Sequence, residues 1–415
     1  MQGNRYAALW VTCILVVVVS CVAAATGCRP AKTPELDVAS SNWEQIADAA
    51  AGTTVRMAMW DGDPAINAYM REYVREKMRA EHGVNVEFIG GQGTVLVNRL
   101  LVELDAGRSA GDIDLMWING ETFYQLRQID ALYGPYTSRL PNNQYIDWHD
   151  PFIAFDFQQP VEGYECPWGN VQQALIYHTG RVHDPPQNPT ELAAWVKQHP
   201  GRFTWDNGFT GITFLKSLLY HFAGGAGAWA GPWDEAKYVT ESTKLWDYVR
   251  EIQPFLWREG RTFPDGVAQL HQLMMNGEVD FSMSNNDGEV DNKVVQGILP
   301  EESRAYVWAS GTIRNSHYLG IPTNAPNKAG ALVLANFLIS PAAQLQKAFP
   351  EVWGDGSILD IEKLPEEYQQ RFANIPGRTR IAPREALVDR ALMEPAPQLM
   401  VRLHADFRKL IIEGN

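Results

Sequence analysis

Two short loops of similar chemistry lie far apart in the sequence. The first reads Trp60-Asp61-Gly62-Asp63 and the second reads Trp117-Ile118-Asn119-Gly120-Glu121. Each places an indole ring near a carboxylate, and a cation is attracted both by the face of the ring and by the negative charge. This pattern favours a cationic heterocycle or an amine as the ligand, held by Trp60, Asp61, Trp117, Asn119 and Glu121. The alternative is structural, with both tryptophans in the core and both acids at helix N-termini.

The segments around these loops predict why the loops should meet. Residues 55–60, 84–88 and 113–118 have the apolar pattern of strands, and helices are predicted between them. Asp63 is the predicted N-cap of the first of these helices and Gly83 its predicted end. This order of elements is typical of a parallel sheet with right-handed crossovers. In the strand order 2-1-3, the first and third strands end side by side at a switch point where ligands bind.

Later segments add polar and aromatic candidates for a binding cleft. These are Trp168, Thr210, Asn285, Asn286, Asn315 and Tyr318. The threonine precedes an apolar helix whose first amides could bind a phosphate or a carboxylate, although an ordinary helix start explains it too. Turn chemistry explains the two adjacent asparagines equally well. The tryptophan stands between a proline and a glycine, so a structural role suits it as well as stacking on a ligand does.

Signals for catalysis and for metal binding are weak. The sequence has no Gly-x-Ser-x-Gly elbow, no Walker loop and no His-Glu-x-x-His helix. His178 and His183 lie near a strand end without a cysteine or acidic partner at ligand spacing. We therefore expect no enzyme, no metal site and no cofactor. A secreted glycosidase with a pair of carboxylates is the enzyme alternative that the acids and tryptophans leave open.

Composition narrows the class of protein. The chain has 415 residues, a formal net charge of -14 and 45% hydrophobic residues. That much apolar side chain allows a large core and excludes disorder of the chain as a whole. The acid excess argues against a nucleic-acid partner, because phosphate binding requires a basic surface.

The N-terminus is predicted to be an export signal. Residues 1–27 combine one arginine with a long apolar run that ends in small residues before Cys28. This ending resembles a bacterial lipobox, in which the cysteine is lipidated, so we expect a lipid anchor at Cys28. An uncleaved membrane anchor is the alternative. Residues 28–50 are predicted to be a tether and a first helix. Outside the signal and the lipid site only Cys166 remains, so no disulfide framework is expected.

Several segments resemble the solute-binding component of ABC importers with the two-lobed type II architecture. The broad resemblance rests on residues 321–331 and 335–340. Four further segments are similar to the YnjB-type subfamily, namely residues 114–121, 167–170, 201–204 and 257–264. The resemblance covers nearly all of the chain from Thr53 onward. It implies an α/β fold of two lobes, each a mainly parallel sheet flanked by helices, joined by crossing strands that act as a hinge.

The resemblance also implies a division of the chain and a class of ligand. The N-terminal lobe would contain residues 53–165 and 317–354, and the C-terminal lobe would contain residues 166–316 and 355–415. A thiamine-like cationic heterocycle is the favoured solute, while polyamines, sugars, phosphorylated small molecules and iron remain open. The implied partners are this small solute and a membrane permease, and the exported protein would be a lipid-anchored monomer in the cell envelope.

Overall fold

The computed structural model describes residues 36–414. The predicted signal segment 1–27 and the predicted lipidation site Cys28 lie outside the described residues. The strands are β1 Thr54–Met59, β2 Asn85–Gly90, β3 Leu115–Ile118, β4 Phe155–Asp156, β5 Gln159–Pro160, β6 Glu165–Gln172, β7 Ala174–His178, β8 Phe281–Ser284, β9 Ser303–Tyr306, β10 Thr312–Gly320 and β11 Ala391–Leu392. The α-helices are α1 Trp43–Ala50, α2 Pro64–Ala68, α3 Arg75–His82, α4 Thr94–Asp105, α5 Gly120–Gln128, α6 Pro151–Ala154, α7 Pro189–Gln198, α8 Phe209–Phe222, α9 Glu235–Ile252, α10 Val267–Met275, α11 Glu289–Val295, α12 Lys328–Leu338, α13 Pro341–Ala348, α14 Glu366–Ala373 and α15 Pro397–Phe407. Short 3-10 helices cover Thr137–Arg139, Pro141–Tyr145, Gln253–Phe255, Trp257–Gly260, Ile361–Lys363, Arg384–Ala386 and Val388–Arg390, and π-helical turns cover Tyr69–Val74 and Arg408–Ile412.

The larger sheet contains the strand order that the sequence predicts. Its order is β11-β10-β3-β1-β2, and β6 also pairs with β10. β1 runs parallel to β2 along its whole length and parallel to β3 at Met57 and Ala58. The order 2-1-3 of the first three strands is therefore confirmed, and the loops after β1 and β3 lie at the same edge of the sheet.

The smaller sheet corrects one expectation. The α/β class is as predicted, but the three strands β8-β7-β9 are antiparallel at both pairings, so this sheet is not mainly parallel. The reason is the path of the chain. β7 follows directly from β6 with only Gln173 between them, and it forms the centre of the sheet. β8 and β9 pair on either side of β7 in the opposite direction, and so run parallel to each other without being neighbours.

Two long strands connect the sheets. β6 and β10 pair antiparallel from Gln172 opposite Arg314 to Glu165 opposite Gly320. The register shifts between His317 and Tyr318, which is the place of a β-bulge or similar irregularity. The resemblance implies chain crossings near residues 166–168, 316–318 and 354–356, and the first two of these lie in β6 and β10. The lobe boundaries drawn from the sequence remain predictions.

Caps set the start and end of the helices next to the site. Asp63 accepts hydrogen bonds from the backbone N–H groups of Ala65 and Ile66 and so caps α2. Gly83 ends α3 in the left-handed conformation at φ 65°, which glycine adopts without steric cost. The sequence predicts Thr190 as the N-cap of α7. That prediction is wrong, because Asn188 accepts from the N–H of Glu191 and Pro189 already belongs to the helix.

Two hydrophobic clusters support the two sheets. The larger one packs α7, α8, α9 and α15 around the smaller sheet, and the other packs α4 and α5 against β1 and β3. Among the described residues no single helix is long and apolar enough to span a membrane. α12 and α13 reach that length and composition only as a pair bent by 56°, and most of α12 is buried.

Candidate functional site

The two loops meet at the sheet edge with an offset of one residue. Met57 pairs with Leu115 and Ala58 with Met116. Continuing this register by one residue places Trp117 beside Met59, while Trp60 lies one position further along. Because side chains alternate across a strand, this offset gives the two tryptophans different surroundings.

Trp60 is half-buried and its own loop folds over it. A Cβ atom on Gly62 would lie 2.7 Å from the indole, so only glycine allows this approach. Asp61 is exposed, its backbone carbonyl accepts a hydrogen bond from Nδ2 of Asn67 at 2.8 Å, and its carboxylate lies beside the end of β2 at Gly90. Within the described part of the chain Asp61 makes no ion pair. This loop therefore presents a partly open ring and an unpaired negative charge.

Trp117 belongs to an aromatic cluster that also contains Trp168. The ring centroids of these two residues are 4.9 Å apart in an edge-to-face arrangement. His317 and Trp353 complete the cluster, with their rings stacked at 5.8 Å and tilted by only 7°. Trp168 is fully buried and its Nε1 atom has no hydrogen-bond partner. The structure thus brings two sequence-predicted residues together, at the strands that connect the sheets.

A buried ion pair lies against this aromatic cluster. Lys347 pairs with Asp355, whose Oδ2 atom is also 3.0 Å from Nε2 of His317. Burial alone would raise the pKa of Asp355, but the charges of Lys347 and His317 lower it to about 2. A Cβ atom on Gly169 would lie 1.9 Å from Nε2 of His317, so a glycine on β6 is required here. The resemblance implies a chain crossing at residues 354–356, but the sequence assigned Lys347 and Asp355 no role.

Asp63 has a second role that its capping position did not reveal. Its Oδ2 atom lies 2.5 Å from Nζ of Lys293 on α11. Nζ of Lys293 also lies 3.4 Å from Glu289 and 3.2 Å from Oδ1 of Asn292. Burial would lower the pKa of Lys293, but Glu289 and Asp63 raise it above its ordinary value. The ion pair joins the loop after β1 to the helix that follows β8.

Thr210 lies in the first turn of α8, and Asn285 and Asn286 directly follow β8. Oγ1 of Thr210 accepts a hydrogen bond from Nδ2 of Asn285 at 3.1 Å, so these two predicted residues are in contact. Oδ1 of Asn286 accepts from the backbone N–H of Gly288 at 2.9 Å, as expected for an asparagine turn. Oδ1 of Asn285 and Nδ2 of Asn286 are buried without a partner. One hydrogen-bond acceptor and one donor therefore remain at the end of β8.

A buried lysine lies beside Glu121, in the first turn of α5. Lys216 on α8 pairs with Glu394, and Oε1 of Glu394 accepts from Nδ2 of Asn315 at 2.8 Å. Nζ of Lys216 is 4.7 Å from the ring centroid of Phe157. Burial raises the pKa of Glu121, and the charges of His404 and Lys216 offset this only in part. Asn119, whose side chain caps nothing, precedes α5 and is half-buried.

Two further carboxylates are enclosed nearby, Asp156 close to this lysine and Glu165 close to Asp156. Asp156 and Glu165 are buried, and none of their four carboxylate oxygens has a hydrogen-bond partner. Burial raises the pKa of both groups well above the ordinary value, so the neutral form is favoured. Tyr318 is also fully buried, and its hydroxyl donates to the carbonyls of Ile153 and Phe155 at 3.0 and 3.1 Å. In this structure Tyr318 is therefore not accessible to a ligand, and its hydroxyl links β10 to the segment of α6 and β4.

The site is thus assembled from loops of both sheets. Among residues 36–414 no group of three or more His, Cys, Asp or Glu side chains is placed to hold a metal ion. The sequence did not single out Lys216, Lys293 and Glu394 as site residues, because a single charged residue carries no periodic signal. The weak sign for Lys216 was its position within an otherwise apolar helix.

The two sheets, the connecting strands and the charged contacts between their loops define a type II binding protein with two lobes. This chain belongs to the family of bacterial extracellular solute-binding proteins, whose profile matches residues 73–373. It is 37% identical to Protein YnjB of Escherichia coli (strain K12) over 331 residues, which is 79% of this chain and 85% of that protein.

Solved structures share the fold at low identity. AfuA from Actinobacillus pleuropneumoniae, a periplasmic binding protein with fructose-6-phosphate bound, has a TM-score of 0.60 and 14% identity, covering 86% of this chain and 98% of that chain. The spermidine/putrescine substrate-binding protein PotD from Streptococcus pneumoniae has a TM-score of 0.58 and 15% identity, covering 86% of this chain and 99% of that chain. These likenesses establish the two-lobed fold, and family membership establishes an exported protein that binds a solute.

Proposed function

We propose that this protein captures a small cationic solute, with a thiamine-like heterocycle favoured, and delivers it to the membrane permease of an ABC importer. One observation supports a positively charged solute over an anionic or a neutral one. The lysines at the site are already paired, whereas the carboxylates of Asp61 and Glu121 make no ion pair among the described residues. Asp156 and Glu165 are also unpaired, but they are enclosed and burial favours their neutral form. A cationic ligand would therefore meet two carboxylates that form no ion pair with a side chain of the described structure.

Each lysine of the site has its own carboxylate partners. Lys216 is bound by Glu394, and Lys293 is bound by Asp63 and Glu289. Asp61 and Glu121 make no ion pair among the described residues. Asp61 lies in the loop after β1, and Glu121 lies in the first turn of α5, which follows β3. Trp60, next to Asp61, adds a partly open ring face that attracts a cation by about 0.5–2 kcal/mol.

The same observation weighs against anionic solutes. A sugar phosphate would approach unpaired carboxylates while the lysines are occupied, and only the amides at the start of α8 would favour it. Polyamines share the positive charge and are the second candidate. They lack a ring, so they would gain less from a single indole face than a planar heterocycle does. A neutral sugar or ferric iron has no comparable feature in its favour among the described residues.

The anchor is part of the same proposal. A receptor that supplies a membrane permease gains from being held at the membrane, and Cys28 is the residue that we propose carries the lipid. Replacing it by Cys28→Ser should release the exported protein from the membrane fraction into the soluble fraction. We propose that the anchored protein acts as a monomer, which sedimentation of detergent-free Cys28→Ser protein would test.

Binding of thiamine to the purified protein is the direct test. Titration calorimetry should show saturable binding, weakened about 10-fold or more in Asp61→Asn and in Glu121→Gln, since each removes one charge. Asp48→Asn, an exposed acid on α1 without an ion pair, is the matched control and should bind as the parent does. Saturation by spermidine but not by thiamine would replace the heterocycle by a polyamine.

Two outcomes would refute the proposal itself. The first is no saturable binding of thiamine, its phosphates or polyamines, with no rise in melting temperature. The second is turnover of a glycoside substrate that is lost in Asp61→Asn or Glu121→Gln, which would establish the enzyme alternative.

A further inference from the structure

A cavity of about 620 Å³ lies close to the ion pair of Lys216 and Glu394, but neither of these residues lines it. Four parts of the chain form it: α5, the hairpin of β4 and β5, the segment around Trp233 and the start of α15. Its volume is within the range of small-molecule sites, about 300–1,000 Å³. None of the residues that we assign to the cation site lines it.

Ring-shaped side chains form part of the lining of the cavity, beside several polar ones. Trp233 contributes the accessible aromatic ring, and prolines 160, 232 and 397 contribute aliphatic surface. Phe123 and Phe157 also line the cavity but are 2% and 1% exposed, so they add little accessible surface. Trp233 is half-buried and packs against Tyr238 at a centroid distance of 5.4 Å, which fixes its position. Walls of this kind suit a planar ring.

The polar groups of the cavity carry no uncompensated charge. Arg127 and Glu162 neutralise each other at 3.3 Å, and the guanidinium also lies 3.5 Å from the ring centroid of Tyr164. The remaining polar groups are amides, among them Gln159 and Gln398. Nε2 of Gln398 donates to the hydroxyl of Tyr124 at 3.2 Å, which leaves its carbonyl oxygen for a ligand. An amide both donates and accepts, so it matches an uncharged partner that does the same.

One wall is held in a strained conformation. Phe157 and Gln158 form the two-residue turn between β4 and β5, and both have positive φ, at 46° and 60°. Gln158 fixes the turn by donating to the carbonyls of Trp229 and Glu394 and by accepting from the N–H of Gly231. Such strain persists where the surroundings impose it and is concentrated at functional sites. The turn separates the cavity from Lys216, which lies over the ring of Phe157.

We propose that this cavity is a second binding site, for an uncharged heteroaromatic ring with an amide-like hydrogen-bonding edge. The indole of Trp233 stacks on the ligand ring, and the amides of Gln159 and Gln398 bind its edge. This site is independent of the cation site, because Asp61 and Glu121 take no part in it. It adds a class of ligand that the net charge of the protein does not suggest.

Nicotinamide and uracil are the probes, because both are uncharged rings with an amide-like edge. Calorimetry with the mature chain should show saturable binding of at least one of them. Trp233→Ala should weaken this binding about 10-fold or more, and Gln398→Met should weaken it about 5-fold. Trp148→Ala is the matched control, a half-buried tryptophan that does not line the cavity, and it should bind the probe as the parent does.

The thiamine titration separates this proposal from the previous one. Trp233→Ala should bind thiamine as the parent does, and Asp61→Asn should bind the probes as the parent does. The proposal is overturned if neither probe saturates up to about 10 mM, where affinity would be too weak to matter. It is also overturned if Trp233→Ala and Trp148→Ala bind the probe equally well, or if glucose saturates and both probes do not.

Discussion

Nζ of Lys293 lies 2.5 Å from Oδ2 of Asp63, and this contact links the loop after β1 to helix α11. Both side chains are almost completely buried, at 3% and 6% exposure. The other carboxylate oxygen of Asp63 caps α2 through the N–H groups of Ala65 and Ile66. A single carboxylate therefore starts a helix on one sheet and binds a cation presented by the other.

Removing this lysine should destabilise the folded protein strongly. Lys293→Met would leave Asp63 and Glu289 buried without their cation, and we expect a loss of about 3 kcal/mol in the free energy of unfolding. Urea denaturation measures it. Lys77→Met, which breaks an exposed pair with Glu81, is the control and should cost less than about 1 kcal/mol. Equal losses in the two variants would show that the buried pair contributes no more to the free energy of unfolding than the exposed pair does.

The two tryptophans of the paired loops should respond differently to truncation. Trp60→Ala should weaken thiamine binding about 10-fold, or about 1–2 kcal/mol, because it removes an open ring face. Trp117→Ala should instead lower the free energy of unfolding by about 2 kcal/mol or more, since its ring packs on Trp168 and His317. Calorimetry and urea denaturation of both variants separate these effects. Unchanged thiamine affinity in Trp60→Ala would contradict the placement of the ligand.

Asp206 should make the protein less stable as pH rises through the weakly acidic range. Burial raises the pKa of its carboxyl from 3.8 to about 6. Between these values the unfolded chain loses the proton first, so stability falls by roughly 2–3 kcal/mol as pH rises from about 4 to about 6. Asp206→Asn cannot lose a proton and escapes this fall.

Urea denaturation of the parent and of Asp206→Asn at about pH 4 and about pH 7 measures the effect. The stability of the variant relative to the parent should rise between the two conditions. The other titrating groups are common to both proteins and cancel in the difference. A difference that does not change with pH would mean that Asp206 titrates normally.

Gly120 should tolerate no side chain. A Cβ atom there would lie 1.9 Å from Cδ2 of Phe157, so Gly120→Ala should displace the Phe157 turn and cost about 1–3 kcal/mol. Gly227→Ala is the control, because nothing lies within 4 Å of the added atom, and it should change stability by less than about 0.5 kcal/mol. Thermal denaturation compares the two variants. Similar melting temperatures would mean that the turn can move away at little cost.

Local patterns were sufficient for the first part of the fold. The alternation of apolar residues, the capping position of Asp63 and the glycine at 83 predicted β1, β2, β3 and the helices between them. These signals are short-range, since a cap or an amphipathic period involves residues within a few positions of each other. The order 2-1-3 of the three strands is the common arrangement of such a unit, and it is one of the few that right-handed crossovers allow.

Contacts between distant segments were beyond the sequence. The direction of the strands in the smaller sheet depends on β7 continuing directly from β6. The hydrophobic periodicity of the sequence gives no information about strand direction. The pairing of Lys216 with Glu394 spans 178 residues. The placement of Trp117 against Trp168 and Trp353 likewise requires three separate segments to pack together. Each of these depends on how whole elements dock, and a single sequence shows no coupling between residues so far apart.

The sequence by itself determined that this chain is a large, acidic α/β protein whose strands β1 and β3 present similar loops at one edge of a sheet. The tertiary structure decided which of those residues remain available to a ligand. It paired Asp63 with Lys293, buried Trp168 and Tyr318 completely, and left Asp61 and Glu121 without an ion pair among residues 36–414. The physical reason is that charge and residue type are local properties, whereas neutralisation and burial depend on neighbours that only the packed fold supplies.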